Sequence, residues 1–128
     1  MDHISILVTD LSATRTFYEA CLEPLGWRLR GLRNERYVGF DKAGGPVLYF
    51  GVAKTTSPVH LAFVAHDEAA VRAFFEAALA HGGKDNGPPG PRPSYGAHYY
   101  AAFVLDPSGH NVEAVIGGVH QAVASAGG

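Results

Sequence analysis

The chain has 128 residues, 47% of them apolar and 17% charged, and carries a formal net charge of −2. That is the size and composition of one compact globular domain, or of two half-domains that share a core. It gives no basic stripe for a nucleic acid, and no apolar run approaches the roughly 20 residues that span a membrane.

In chain order, His3 to Val8 is apolar and β-branched and reads as a strand. Asp10 or Ser12 caps a helix that runs to about Leu22, where Pro24 and Gly26 end it. The single cysteine, Cys21, falls on that helix as a small core residue, and with no second cysteine there is no internal disulfide. Residues 27–30, 36–40 and 47–52 are three more strand candidates, with a Gly-rich turn over 41–46. Lys54 to Pro58 reads as a linker. A strand over 59–65 follows, then a helix capped by Asp67 and stopped near His81 by Gly82-Gly83. A weak strand is expected near Lys84. Asn86 to Gly96 holds four prolines and three glycines and reads as a long loop. Two strands, 99–105 and 111–116, complete the order, and 117–128 is expected to be a flexible tail. The N-terminus reaches Asp2 and His3 without an apolar leader, so a soluble cytoplasmic protein is expected.

The order strand-helix-strand-strand-strand occurs twice, and so does a residue pattern. Residues 3–26 and 60–83 align without a gap and share His, Asp, Ala, Arg, Phe, Glu, Ala, Leu and Gly at nine positions. A repeat means two similar units related by approximate symmetry, so His3 and His60 are equivalent residues. The expected fold is α+β: two paired βαβββ modules, 1–54 and 58–116, forming a curved, partly open barrel-like mixed sheet. Helices lie outside it and a ligand cleft inside.

Strand alternation assigns the faces. Ile4, Ile6 and Val8 point one way; His3, Ser5 and Leu7 point the other. Leu61 and Phe63 oppose His60 and Ala62, and Val112, Ala114 and Ile116 oppose Asn111 and Glu113. Asp106-Pro107-Ser108-Gly109 suits a type I turn with Gly109 left-handed, which sets Phe103 opposite Glu113. His3, His60 and Glu113 thus share the polar face type. Two imidazoles and a carboxylate form a facial triad that binds a divalent ion (Mn, Fe, Zn, Ni or Co) and leaves positions open for substrate.

At these residues the chain resembles the vicinal oxygen chelate superfamily, which includes glyoxalase I, extradiol dioxygenases, fosfomycin-resistance thiol transferases and bleomycin-resistance proteins. The segments that carry the likeness are 3–10 with Phe17-Tyr18, 60–67, and 103–113 with its Asp-Pro-x-Gly turn and following Glu113. The resemblance implies the paired-module fold, a metal site at His3, His60 and Glu113, and a homodimer in which two chains often exchange modules. Tyr49 stands where glyoxalase I carries a fourth, carboxylate ligand. Phe103 stands where extradiol dioxygenases carry a tyrosine. The three-ligand pattern is nearest to the fosfomycin-resistance enzymes, without their phosphonate-binding set.

Two functional readings follow. One is a metalloenzyme of lyase, isomerase, thiol-transferase or dioxygenase (oxidoreductase) type, with Glu113 catalytic and substrate contacts from Phe40, Tyr49, Asn86, Arg92, Tyr95, Tyr99 and Phe103. The other is a metal-free binding protein that sequesters a small molecule among Trp27, Phe40, Tyr49, Tyr99 and Phe103. His66, His81, His98, His110 and His120 read as solvated turn or helix-end residues. Arg15 and Arg72 read as exposed helix residues.

Overall fold

The computed structural model describes residues 1–119; His120 and the rest of the expected tail lie outside them. Strand β1 (His3–Val8) leads into α1 (Leu11–Leu22), a short 3-10 turn (Glu23–Leu25), and strands β2 (Arg28–Arg33), β3 (Tyr37–Asp41) and β4 (Val47–Val52). The second module repeats the order with β5 (His60–Val64), α2 (Glu68–Ala80), β6 (Lys84–Asp85), β7 (Gly90–Pro91), β8 (Tyr100–Leu105) and β9 (Asn111–Ile116).

The repeat is visible in the caps. Asp10 Oδ1 accepts the Ala13 N–H at 3.0 Å and Asp67 Oδ1 accepts the Ala70 N–H at 2.7 Å. Each aspartate satisfies an otherwise unpartnered donor of the first helical turn, worth about 1 kcal/mol. Gly26 ends the 3-10 turn after α1 at φ 86°, a left-handed position that costs glycine nothing.

Each module makes its own sheet, ordered β1-β4-β3-β2 and β5-β9-β8-β6, with β7 against β8. The strands that open the modules pair in parallel with the last strand of their own module, β1 with β4 and β5 with β9. β1 and β5 are therefore both edge strands, and no closed barrel forms among the described residues. The helices pack on each other and on the apolar sheet faces, and one core runs through both modules. It joins Val8, Phe17, Tyr18, Phe40 and Phe50 to Phe63, Phe74, Val104 and Val112.

Polar contacts, several of them buried, bind the modules together. Tyr18 Oη donates to Asp106 Oδ2 at 2.6 Å, from α1 to the β8–β9 turn. The Thr9 N–H donates to Ser108 Oγ at 3.0 Å. His110, expected to be a solvated turn residue, is fully buried. Its Nδ1 accepts the Val59 N–H at 3.0 Å and its Nε2 lies 2.8 Å from the Leu7 carbonyl. That carbonyl can only accept, so Nε2 carries the proton and the ring is neutral.

Cys21 is fully buried, and burial pushes its thiol well above the ordinary value of 9.0. Burial, reinforced by Asp106, does the same to the Tyr18 phenol. Both stay protonated in the native state, whereas the unfolded chain releases these protons first as pH rises. Stability is thus full below the ordinary Cys and Tyr values and falls as pH climbs past them. Cys21 should be inert to thiol reagents in the native protein and react in urea. The urea midpoint should decline between about pH 8 and about pH 11. A flat midpoint over that range would remove this account of the core.

Candidate functional site

The second sheet carries the most developed cluster. Glu113 sits on β9 beside β5, with Ala62 as its register partner, and faces Phe103 of β8 on the other side. The Asp-Pro-Ser-Gly turn sets that register: the Gly109 N–H donates to the Asp106 carbonyl at 2.9 Å with Gly109 at φ 90°. Glu113 is 1% exposed, and such a carboxylate needs partners for both oxygens. Oε1 lies 2.7 Å from His60 Nε2, and Oε2 accepts a short hydrogen bond from the Tyr99 hydroxyl. Burial first, and then the bond to Glu113, hold the Tyr99 phenol well above its ordinary value. Phe103 flanks His60 at 6.3 Å between ring centres. His60 itself remains open to solvent.

His3 lies on the other sheet. Its Nδ1 is 2.7 Å from Asp2 Oδ1; a carboxylate on one ring nitrogen is the usual way a ligand histidine is oriented. Its ring meets Tyr49 edge-on at 6.1 Å. A pocket of about 270 Å³ lies there, lined by His3, Ser5, Arg33, Asn34, Tyr37 and Tyr49.

The structure brings His60 and Glu113 together and does not bring His3 to them. Among the described residues no three His, Cys, Asp or Glu are placed to share a metal ion. The reason is the direction of the two edges. His110 and Ser108 hold the end of β1 against the start of β5. Leu7, near the end of β1, thus lies beside Val59, next to His60, while His3 stands at the other end of β1. The histidines open strands that run past each other in opposite senses, and they occupy opposite ends.

The remaining expected contacts divide. Tyr49 lines the His3 pocket, and Tyr99 and Phe103 adjoin Glu113. Phe40 does not belong with them: it is fully buried on the helix-facing side of β3 against Tyr18 and Phe50. Alternation explains it, since Gly39 and Tyr37 take the polar face and Phe40 the other. Arg92 turns inward on its own loop, donating to the carbonyls of Pro88 at 2.6 Å and Gly90 at 2.8 Å and stacking over Phe103. Asn86, Arg92, Tyr95 and Phe103 share a small pocket with Asn111 and Gly87. His66, His81 and His98 are exposed. Arg15 and Arg72 pair with Glu19 and Glu68 on their helix surfaces. Trp27 packs edge-on against Phe63 and lines a groove with Ile4 and Leu61. Asp2, Ser5, Arg33, Asn34 and Tyr37 were not legible as site residues; only the shared parity of Ser5 with His3 pointed that way.

Two βαβββ units that each present one histidine on an edge strand, one of them beside a buried glutamate, define a class of paired-module proteins. The chain belongs to the Glyoxalase/Bleomycin resistance protein/Dioxygenase superfamily, whose family model matches residues 1–114. A search of curated proteins found no match. Among solved structures it is similar to a glyoxalase/bleomycin resistance protein from Albidiferax ferrireducens T118: 25% identity, 90% of this chain and 96% of that one, TM-score 0.75. A glyoxalase-related enzyme from Fulvimarina pelagi also has 25% identity, over 90% and 86% of the chains, with a TM-score of 0.72. The fold alone is shared with the fosfomycin resistance protein FosX from Mesorhizobium loti, at 19% identity over 96% of each chain and a TM-score of 0.71. No helix among the described residues is long and apolar enough to cross a membrane.

Proposed function

We propose that the protein is a divalent-metal enzyme whose site is completed by a second copy of the chain: His60 and Glu113 from one protomer, His3 from its partner. The contact between His60 and the buried Glu113 carries this reading. Imidazole and carboxylate suit Mn, Fe(II), Zn, Ni or Co, and one chain supplies them in two separate parts. A two-fold dimer joins the parts twice, because a contact of residue i with j implies j with i. The edges have the surface for it. Ile4 and Leu7 on β1 and Val59 and Val64 at β5 are 39–48% exposed. A groove of about 480 Å³ lined by Ile4, Trp27, Leu48, Leu61, Phe63 and Val64 runs between them. Such unpaired apolar edges invite pairing.

The bound ion would polarise substrate oxygens and stabilise negative charge as it develops. The chain's own groups do the rest. Tyr99, protonated across the working range, donates to Glu113 Oε2 and fixes the carboxylate, leaving Oε1 toward His60. Phe103 excludes water from one side of that pair. The reaction is of the lyase, isomerase, thiol-transferase or dioxygenase kind found in this superfamily, and the buried thiol of Cys21 fits a reducing cytoplasm.

Elemental analysis of protein purified without a histidine tag tests the reading. Wild type should hold near-stoichiometric metal and His60→Ala almost none, with the fold retained by circular dichroism. A wild type that takes up none of the five ions would sink it. One observation favours a second reading, a metal-free binding protein: both Glu113 oxygens are already satisfied by His60 and Tyr99. Tight small-molecule binding that survives a chelator would select that alternative.

A further inference from the structure

The pocket beside His3 has a chemistry of its own. β1 supplies His3 and Ser5, β4 supplies Tyr49, β3 supplies Tyr37, and the β2–β3 turn supplies Arg33 and Asn34. Two glycines shape it. A Cβ on Gly39 would fall 2.9 Å from the Tyr49 ring, and one on Gly51 would fall 2.6 Å from the Tyr37 ring. Without those Cβ atoms both rings lie low across the sheet, and the space above them stays open. Three residues, 34–36, join β2 to β3, with Asn34 at φ 55° and Glu35 at φ 56° and the Arg36 N–H donating to the Arg33 carbonyl at 3.1 Å. Asparagine takes that left-handed position readily; glutamate seldom does.

The lining is rich in donors and holds no carboxylate. Arg33 offers a planar fork of N–H groups, Asn34 an amide, Ser5 a hydroxyl, and the two tyrosines phenols. Arg33 is exposed and makes no ion pair among the described residues; of the two acids in this hairpin, Asp41 is taken by Arg30 at 2.8 Å and Glu35 lies in the turn outside the pocket lining. Asp2 is engaged by His3 at the edge of the pocket. Residues 28–42 hold Arg28, Arg30, Arg33, Arg36 and Lys42 against Glu35 and Asp41. Five cations against two acids is a local excess of three positive charges, in a chain whose total is −2. A guanidinium with hydroxyl and amide donors around it matches the oxygens of a carboxylate or a phosphate-like group.

We propose that this pocket binds the anionic end of the substrate: a carboxylate or phosphate-like oxyanion held by Arg33, Asn34, Ser5 and the Tyr37 and Tyr49 phenols. The substrate class is then a small organic anion, as a pocket of about 270 Å³ admits. That the bound molecule is a substrate rests on the metalloenzyme reading; the anion site itself does not.

The test uses metal-free protein at about pH 8. Inorganic phosphate and acetate are titrated separately and followed by amide NMR. Phosphate, acetate or both should shift the amides of Ser5, Asn34, Tyr37 and Tyr49 with a saturable curve. Arg33→Ala should weaken binding about tenfold or more. Arg72→Ala, on the surface of α2, should match the wild type. Shifts that are equal in Arg33→Ala and wild type, shifts spread over the surface, or none at tens of millimolar of either anion would overturn the proposal. Because no metal is present, the outcome is independent of the metal-content experiment, and either idea can fail while the other stands.

Discussion

Mixing His3→Ala chains with His60→Ala chains should restore metal binding that neither variant has alone. Each homodimer lacks one imidazole in both of its sites, and loss of a ligand should lower affinity by more than about 100-fold, since even outer partners of a ligand are worth 10–100-fold. In the mixed dimer the two mutations fall together. One site takes His3 from the His60→Ala chain and His60 with Glu113 from the His3→Ala chain, and is intact. The other lacks both histidines. A heterodimer isolated through two different tags should therefore hold one ion per pair of chains, where wild type holds one per chain. The control is built into the geometry. His60 and Glu113 come from the same sheet, in contact at 2.7 Å, so a mixture of His60→Ala with Glu113→Gln should rescue nothing. Rescue in that pair, or none in the first, would place the ligands differently and remove the shared site.

Much of this was readable from the sequence because it depends on local rules. The repeat of His-x6-Asp segments located both caps, and the caps fixed where the helices begin. The Asp-Pro-Ser-Gly turn dictated the hairpin register, and the register set Phe103 opposite Glu113, as observed. Alternation then put His60 and Glu113 on one face of adjacent strands. Other features depend on what meets what across the molecule, and no local rule carries that. His110 follows a turn glycine and looked solvated; it is buried because the first module's Leu7 carbonyl and the Val59 N–H just before β5 both find their partner there. Phe40 was legible only in part: alternation sets it opposite in sense to Tyr37 and Gly39, but that this side is the one packed on Tyr18 and Phe50 depends on where α1 lies. The β2–β3 turn has no glycine, so neither the turn nor the Arg33 pocket beside it stood out. Above all, two copies of a module say that their histidines are equivalent. They do not say whether the equivalent edges meet within one chain or between two.

Asp106→Ala should be among the most destabilising single changes outside the apolar core, at about 3–5 kcal/mol. Asp106 is 4% exposed and serves three donors: the Tyr18 hydroxyl at 2.6 Å, the Ser108 N–H at 2.8 Å and the His110 N–H at 2.9 Å. Alanine leaves the Tyr18 hydroxyl and the His110 N–H buried without an acceptor, at roughly 1–3 kcal/mol each. The turn that sets the β8–β9 register also loses its lock. For a domain of this size the melting temperature should fall by about 10–20 °C. Tyr18→Phe separates the parts: it removes only the hydroxyl, and Asp106 keeps both backbone donors, so its cost should be near 1–2 kcal/mol. In the double variant the phenol is absent and nothing is orphaned in α1. The combined cost should therefore fall short of the sum by about 1 kcal/mol or more, the coupling expected of groups in direct contact. Full additivity would mean that the two groups do not act through one bond. The functional reading depends on this same lock, because the turn that Asp106 holds carries His110 to the Leu7 carbonyl and so fixes how the two sheets lie. Loosening it should lower metal retention in Asp106→Ala well below the unfolding temperature, with His60 and Glu113 themselves untouched.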